Sequence, residues 1–313
     1  MSDINLRMGT VRAPSGAKVK VDTTWGDKLF LWFIYLFISV FTAICLLPFW
    51  MVIVDSFATE ESLRTKGFHL FPTDFSVYAY KYLFSGKQVF QSYGITALVT
   101  GIGTMLALAL SSSYGYVLAH RKVKYGQILS FLTYFTMLFG AGLVGFYILM
   151  SNWLHLKDTI WALILPYLLN PFFVFILVSF FRTLPYEINE AATVDGASEF
   201  RIFWQIILPI SKPVLATVAL FYALQYWNDW WLALLFIDDY KLHPLQIMIR
   251  QLVSNMNAQS YIGGASSTNY AVTVPTYGIQ LATVCVTIGP IILLYPFLQR
   301  YYVKGLTIGS VKG

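Results

Sequence analysis

Long apolar stretches separated by short polar segments dominate the chain from residue 29 onwards. A helix needs about 20 mainly apolar residues to cross a bilayer, because the hydrocarbon core is ~30 Å thick and each residue advances the helix by ~1.5 Å. Asp229 is the one charged residue within these stretches. The pattern therefore predicts an all-α integral membrane protein with six transmembrane helices, at residues 29–54, 92–119, 127–154, 159–181, 214–237 and 277–298.

The positions of the basic residues predict the orientation of these helices. Placing both termini in the cytoplasm puts 14 of the 21 Lys and Arg residues in cytoplasmic segments, in line with the positive-inside rule. The turn with Arg121, Lys122 and Lys124 is the strongest evidence for this orientation, because short loops follow that rule best. The expected order is a cytoplasmic extension at 1–28, a six-helix domain at 29–300 and a cytoplasmic tail at 301–313, with a cytoplasmic loop at 182–212 and outer loops at 55–91 and 238–276.

A cleaved signal peptide is the alternative interpretation of the first apolar stretch. Ser56-Phe57-Ala58 has the small-x-small pattern of a cleavage site. However, the stretch at 29–54 is far longer than the 7–15 apolar residues of a signal peptide core. We therefore expect a retained first transmembrane helix.

The composition agrees with a membrane protein and excludes several other classes. Charged residues make up 12% of the chain, whereas about 25% is usual in soluble domains. The net charge of +6 is spread along the chain, so nucleic acid is not an expected partner. Cys45 and Cys285 lie in apolar stretches, and the four histidines lack the spacing of metal ligands. No metal site is expected.

Glycines that interrupt the third stretch are one candidate for a solute path. Three glycines lie between Gly140 and Gly145, and glycine weakens a helix. Two interpretations stay open: close helix packing, or a break that lines a cavity, with Gly142 and Gly145 as the residues concerned.

The run Trp227-Asn228-Asp229 is the second candidate. Aromatic faces stack on sugar rings, while amide and carboxylate groups bond to hydroxyls. Acids inside membrane spans usually face a bundle interior or a water-filled cavity. A solute contact and an interfacial aromatic belt with a solvated acid are equally favoured.

The cytoplasmic loop at 182–212 predicts a helix–turn–helix. Pro185 can begin a helix, and Glu187 and Glu190 suit its positive N-terminal end. Gly196 is a natural helix stop, and Ser198 can cap a second helix. Ala191 and Ala192 have small side chains, so the first helix can fit closely into a groove of a partner. In the second helix we expect four apolar residues at helical spacing to pack on the bundle: Phe200, Phe203, Trp204 and Ile207.

This loop resembles the signature loop of the permeases of binding-protein-dependent ABC importers. The matching positions are Glu190-Ala191-Ala192, then Gly196, Ile206 and Leu208-Pro209. The extended form through Asp195 and Ala197 is similar to that of the carbohydrate-uptake branch. In that family the loop is a coupling helix that docks into a cleft of the ATPase subunit. The resemblance therefore implies a type I importer fold and a coupling role for Glu190, Ala191, Ala192, Asp195, Gly196 and Ala197.

Further segments extend the resemblance over nearly the whole chain beyond Asp27. Trp227-Asn228-Asp229 resembles a run in the fifth span of these permeases. The end of the chain is similar to that of the smaller maltose permease, which implies an ATPase-interface tail with Thr307, Gly309 and Lys312. The most similar subgroup is the one named after lipoprotein-operon permeases, which includes importers of oligo- and polysaccharides. That subgroup often has proline where Gly145 stands, so a helix break there does not carry over.

The resemblance implies a permease subunit of an ATP-driven sugar importer that works by alternating access, in the bacterial cytoplasmic membrane. The chain has no Gly-x4-Gly-Lys-Ser/Thr phosphate loop, so it is not expected to be an enzyme itself. ATP and Mg²⁺ are expected on separate subunits. The implied partners are a second homologous permease, two ATP-binding subunits, an extracytoplasmic solute-binding protein and the lipid bilayer.

Two other functions stay open at this point. A permease of the same kind can carry a peptide or an amino acid instead of a sugar. A secondary transporter is less favoured, because it needs an ion-coupling network inside the spans, where Asp229 is the only acid.

Overall fold

The computed structural model describes residues 25–71, 74–140, 142–251, 254 and 277–288. The secondary structure of the described chain is helical, apart from one isolated bridge between Ala58 and Phe75. It divides into two units, Met1–Val52 and Ile53–Gly313. The described part of the first unit belongs to one helix, α1 (Trp25–Asp55), which is strongly apolar and has exposed apolar side chains along its length.

The second unit contains the remaining helices, several of them short. Apolar side chains and helix-stopping residues divide the sequence into α2 to α13: Glu60–Lys66, Tyr78–Ser85, Lys87–Ala119, Gly126–Leu138, Gly142–Trp153, Ile160–Tyr167, Pro171–Thr183, Glu187–Val194, Glu199–Ile210, Lys212–Trp227, Trp231–Phe236 and Tyr277–Ile288. The last turn of α6, from Leu149 to Trp153, and the middle of α10, from Phe203 to Ile207, are π-helical.

Two of the described helices, α1 and α4, are long and apolar enough to cross a membrane. Three bent pairs, α5 with α6, α7 with α8 and α10 with α11, raise that number to five if each is one span. The bends of the α7–α8 and α10–α11 pairs are 45° and 84°. The predicted sixth span, at residues 277–298, lies within the described residues only as far as Ile288.

The continuous helix predicted over residues 214–237 is wrong. Helix α11 ends at Trp227, and α12 begins at Trp231. Asn228 and Asp229 carry short polar side chains that bond to nearby backbone groups, Asn228 to the Leu224 carbonyl and Asp229 to the Leu232 N–H. Such bonds compete with the helical ladder and end the helix.

The helices α4, α8 and α11 form the core of the second unit. Ala107, Leu177, Val218 and Tyr222 are fully buried there. Gly103 on α4 allows the closest approach, because a Cβ at this position would lie 2.7 Å from the Tyr226 ring on α11. Close packing through small residues is the usual way in which membrane helices associate.

A turn before α7 and the segment after α12 are joined by Asp158. Its carboxylate accepts the N–H groups of Asp238, at 2.6 Å, and Asp239, at 3.0 Å. The bonds from Asp239 and Asp238 lower the pKa of Asp158 below its usual value. Lys157 adds an ion pair with Asp238 at 2.7 Å, so the two connections are held together at their ends.

Candidate functional site

The first half of the predicted cytoplasmic loop is helix α9. It begins after Pro185 and has Glu187 and Glu190 in its first turn, where carboxylates favour the positive helix end. Its end is formed by Gly196, whose φ of +78° is the left-handed conformation that glycine adopts readily. The Ala197 N–H donates to the Ala192 carbonyl at 3.0 Å across this turn. The predicted stop at Gly196 is confirmed.

The second half begins with a serine cap, as predicted. The Ser198 hydroxyl accepts the Arg201 N–H at 3.4 Å at the start of α10. The next residue, Glu199, accepts the Tyr116 hydroxyl at 3.2 Å and lies 3.6 Å from His120 Nε2. These contacts attach α10 to the end of α4, and no local sequence pattern predicts them because Tyr116 and His120 are distant along the chain.

The two alanines of α9 lie on different faces. Ala192 is buried in the core, whereas Ala191 is exposed beside Glu190. Val194, which the sequence analysis did not select, is 87% exposed. Because Ala192 is buried and Val194 is exposed, the outer surface of α9 carries an apolar side chain next to the acids Glu190 and Asp195. The residues of the predicted site on the exposed side are Glu190, Ala191, Asp195 and Gly196, and Ala197 is half-buried.

The prediction that four apolar residues of α10 pack on the bundle is correct for two of them. Phe203 and Ile207 are buried, but Phe200 is 74% exposed and Trp204 is 51% exposed. Trp204 lies in the π-helical turn Phe203–Ile207, in which residues bond to the fifth residue along the chain, whereas Phe200 precedes this turn. The spacing of an ordinary helix therefore does not place all four side chains on one face.

Asp229 lies in the break between α11 and α12 and is bonded to the protein itself. It accepts the Tyr167 hydroxyl at 2.8 Å and the Leu232 N–H at 3.3 Å. The indole N–H of Trp227 donates to the Thr287 carbonyl at 3.4 Å. These bonds connect α7, α11, α12 and α13. Asn228 is the exposed residue of the run.

An aromatic groove of about 470 Å³ lies beside a second helix break. Asn170, between α7 and α8, donates from its side-chain amide to the Gln225 oxygen at 3.4 Å. The rings of Phe173 and Phe221 stack at 5.6 Å next to these amides. The apolar pattern of the sequence does not predict this groove, although Asn170 and Gln225 are polar residues within otherwise apolar stretches.

The other predicted positions lie apart from the groove or outside the described residues. Gly142, with a φ of +74°, and Gly145 are exposed, and a Cβ at either would meet no atom within 4 Å. Thr307, Gly309 and Lys312 lie outside the described residues. Within the described ranges, no group of three or more His, Cys, Asp and Glu side chains is arranged to hold a metal ion.

Comparison with known proteins gives consistent matches. Residues 111–308 match the family described as the binding-protein-dependent transport system inner membrane component. The chain is 43% identical over 280 residues to the protein LplC of Bacillus subtilis, covering 89% of this chain and 93% of that protein. It is 40% identical to the polygalacturonan/rhamnogalacturonan transport system permease protein YtcP of the same organism, covering 92% and 99%.

A solved structure has the same fold. It is a bacterial ABC transporter involved in the import of the acidic polysaccharide alginate, and one of its chains matches with a TM-score of 0.79 and 24% identity. The match covers 90% of this chain and 99% of that chain.

Proposed function

Because this chain belongs to the family of binding-protein-dependent transport system inner membrane components, we propose that it is a permease subunit of an ATP-driven importer of oligo- or polysaccharides. The observation that carries this proposal is the α9–Gly196–α10 hairpin, with its exposed acidic and apolar outer surface. The names of its relatives, which include permeases for polygalacturonan, rhamnogalacturonan and arabinooligosaccharides, support a sugar as cargo.

In this proposal, α9 is the coupling helix. Its exposed surface, with Glu190, Ala191, Val194 and Asp195, docks into a cleft of a separate ATPase subunit. Two connections transmit the movement of α9 to the bundle: Ala192, which packs in the core, and Glu199, which contacts the end of α4 through Tyr116 and His120. Gly196 keeps the turn tight and Ala197 completes it.

The proposed solute path passes the aromatic groove. Ring faces from Phe172, Phe173 and Phe221 suit the CH-rich faces of sugars, and the amides of Asn170 and Gln225 can bond to hydroxyls. Asn228, which is exposed, extends this polar set, while Trp227 and Asp229 hold the break in place. The exposed glycines at 142 and 145 lie apart from this groove and form a second candidate part of the path.

The topology follows from the same assignment. The chain spans the bacterial cytoplasmic membrane six times with both termini inside, and pairs with a second homologous permease. ATP and Mg²⁺ bind to two ATPase subunits, and Thr307, Gly309 and Lys312 of the tail reach the interface between them. An extracytoplasmic binding protein delivers the solute to the outer loops. Alternating access results when closure of the ATPase subunits moves α9 and tilts the bundle.

The substitution Glu190→Arg tests this function in the assembled complex, reconstituted with its binding protein in proteoliposomes. An arginine reverses the charge at the docking surface, so we expect solute uptake and solute-stimulated ATP hydrolysis to fall at least about tenfold. The control is Lys212→Glu, which also reverses an exposed charge but lies at the start of α11, outside the proposed docking surface and the outer loops. Unchanged uptake by the Glu190 variant would refute the coupling role, and the ligand of the co-purified binding protein identifies the cargo.

A further inference from the structure

A second cavity, of about 590 Å³, lies beside the hairpin and is separate from the aromatic groove. Its walls come from the turn between α4 and α5, from the end of α8 and from the start of α9. Leu118, Val123 and Phe181 form apolar walls, while Gln127 and Tyr186 add polar groups. The cavity therefore joins an apolar interior to a polar rim at one end of the bundle.

The charge of this cavity is positive. Arg121 and Arg182 are among its lining residues, which include no Asp or Glu. Neither guanidinium forms an ion pair within the described ranges. Arg121 lies over the Tyr186 ring at 5.2 Å, and Arg182 donates one N–H to the Leu118 carbonyl at 3.4 Å. Since arginine has five N–H donors, most of them remain available to an anionic ligand.

The nearest carboxylate is already bonded to other groups. Glu199 contacts His120 and Tyr116, both of which line the cavity, and it does not contact either arginine in the described structure. Glu199 is therefore engaged by the His120 ring and the Tyr116 hydroxyl and not by the guanidinium groups. The positive charge of the two guanidinium groups is left without an internal counter-charge.

Two buried polar atoms on opposite walls also lack a partner. Ser130 Oγ on α5 and Asn189 Oδ1 on α9 are buried and form no hydrogen bond within the described structure. Buried polar groups are nearly always paired, so each is a reason to expect a bound ligand or water. A hydroxyl can donate to a phosphate oxygen, and an amide oxygen can accept from a hydroxyl or ammonium group, both of which occur in lipid headgroups.

The outer surface of α5 beside the cavity is apolar. Ile128, Phe131 and Leu132 are each more than half exposed, next to Gln127 and Ser130. Such a surface faces lipid tails in a membrane protein. In the orientation of the proposed function, the cavity lies at the cytoplasmic end of α5, directly next to this apolar surface.

We propose that this cavity binds the phosphate of an anionic phospholipid headgroup from the cytoplasmic leaflet. That leaflet is the negatively charged one, and the assignment to it rests on the orientation in the proposed function. The phosphate contacts Arg121, Arg182 and Ser130, and the rest of the headgroup reaches Asn189. A lipid held there bridges the α4–α5 turn to α9, so it stabilises the coupling helix against the bundle.

The test compares lipid binding to the whole purified complex in phosphatidylcholine nanodiscs that contain increasing phosphatidylglycerol. Bound phosphatidylglycerol is counted by native mass spectrometry. The double variant Arg121→Gln with Arg182→Gln is expected to bind phosphatidylglycerol at least about tenfold more weakly than the wild type, because charge-assisted bonds are lost. The control Lys122→Gln removes an exposed charge from the same turn but outside the cavity, and is expected to retain binding.

Two further measurements keep the result decisive. Ser130→Ala leaves every charge in place and is expected to weaken binding about threefold, which covers the case in which the double variant fails to assemble. Equal loss in the Lys122 variant, or none in the arginine and serine variants, would overturn the proposal. Displacement of the lipid by millimolar inorganic phosphate would identify a phosphate site instead. Lipid binding needs neither solute nor ATP, so its failure is distinguishable from a failure of transport by the Glu190 variant.

Discussion

The α9–α10 hairpin and the break after α11 are both interruptions between helices, but contacts of different range hold them. In the hairpin, the bonds of Ala197 to Ala192 and of Arg201 to Ser198 join residues that are five and three positions apart. At the break, Asp229 bonds to Tyr167, which is 62 residues away, and Trp227 bonds to Thr287, 60 residues away. The turn of the hairpin is therefore shaped by local bonds and is attached to α4 through Glu199, whereas the break adds bonds to distant helices to the local bonds of Asn228 and Asp229.

This difference matters for the proposed mechanism. A hairpin that forms from local caps can move as one piece when a partner pushes on it. A break that is held by several helices changes only when those helices rearrange. Movement of α9 would then be transmitted through few contacts, while a change at the aromatic groove would need the whole bundle.

The largest expected effect contrasts a core residue of α11, the helix that leads to the break, with an aromatic residue of the hairpin. Tyr222→Ala removes a fully buried ring whose hydroxyl contacts Ser111 and accepts the Asn170 N–H, so we expect a loss of about 3–5 kcal/mol in the free energy of unfolding. Phe200→Ala removes an exposed ring of the hairpin and should change this free energy by less than about 0.5 kcal/mol. Denaturant titration of the chain in detergent measures both. Similar losses in the two variants would contradict the distinction.

The second effect tests whether the break depends on its distant partner. Asp229→Ala leaves the Tyr167 hydroxyl and the Leu232 N–H without their acceptor, at a cost of about 1–3 kcal/mol in unfolding free energy. Tyr167→Phe removes the same contact from the other side. In a double-mutant cycle we expect a coupling energy of about 0.5–3 kcal/mol between the two positions.

Additive costs in this cycle would show that the two side chains act independently. Asp229 would then remain available for a solute, and the solute path would shift towards the Trp227–Trp230 run. The uptake measured in the same variants separates the two roles, because a purely structural Asp229 changes stability and uptake together.

The contrast also explains which features could be predicted from sequence. Pro185, Gly196 and Ser198 act on neighbouring residues, so the helix–turn–helix could be predicted correctly. Hydropathy identified the apolar stretches but not the breaks within them, because lipid favours apolar residues in straight and bent helices alike. The groove at Asn170 and Gln225 depends on residues 55 positions apart, and no local pattern places them together.

The smallest effect compares two glycines and should have opposite signs. Gly196→Ala puts a Cβ into the left-handed conformation of the hairpin turn, which costs about 1 kcal/mol in unfolding free energy. Gly145→Ala lies within α6, where a Cβ meets no atom within 4 Å, so better helix propensity should stabilise the chain by about 0.5–1 kcal/mol. Thermal unfolding in detergent gives the sign of each change, and hydrogen exchange at the amides of 195–197 should increase only in the Gly196 variant. Stabilisation by both alanines would mean that the Gly196 turn is not held in its left-handed form. This result would contradict the conclusion that the local sequence shapes the hairpin turn.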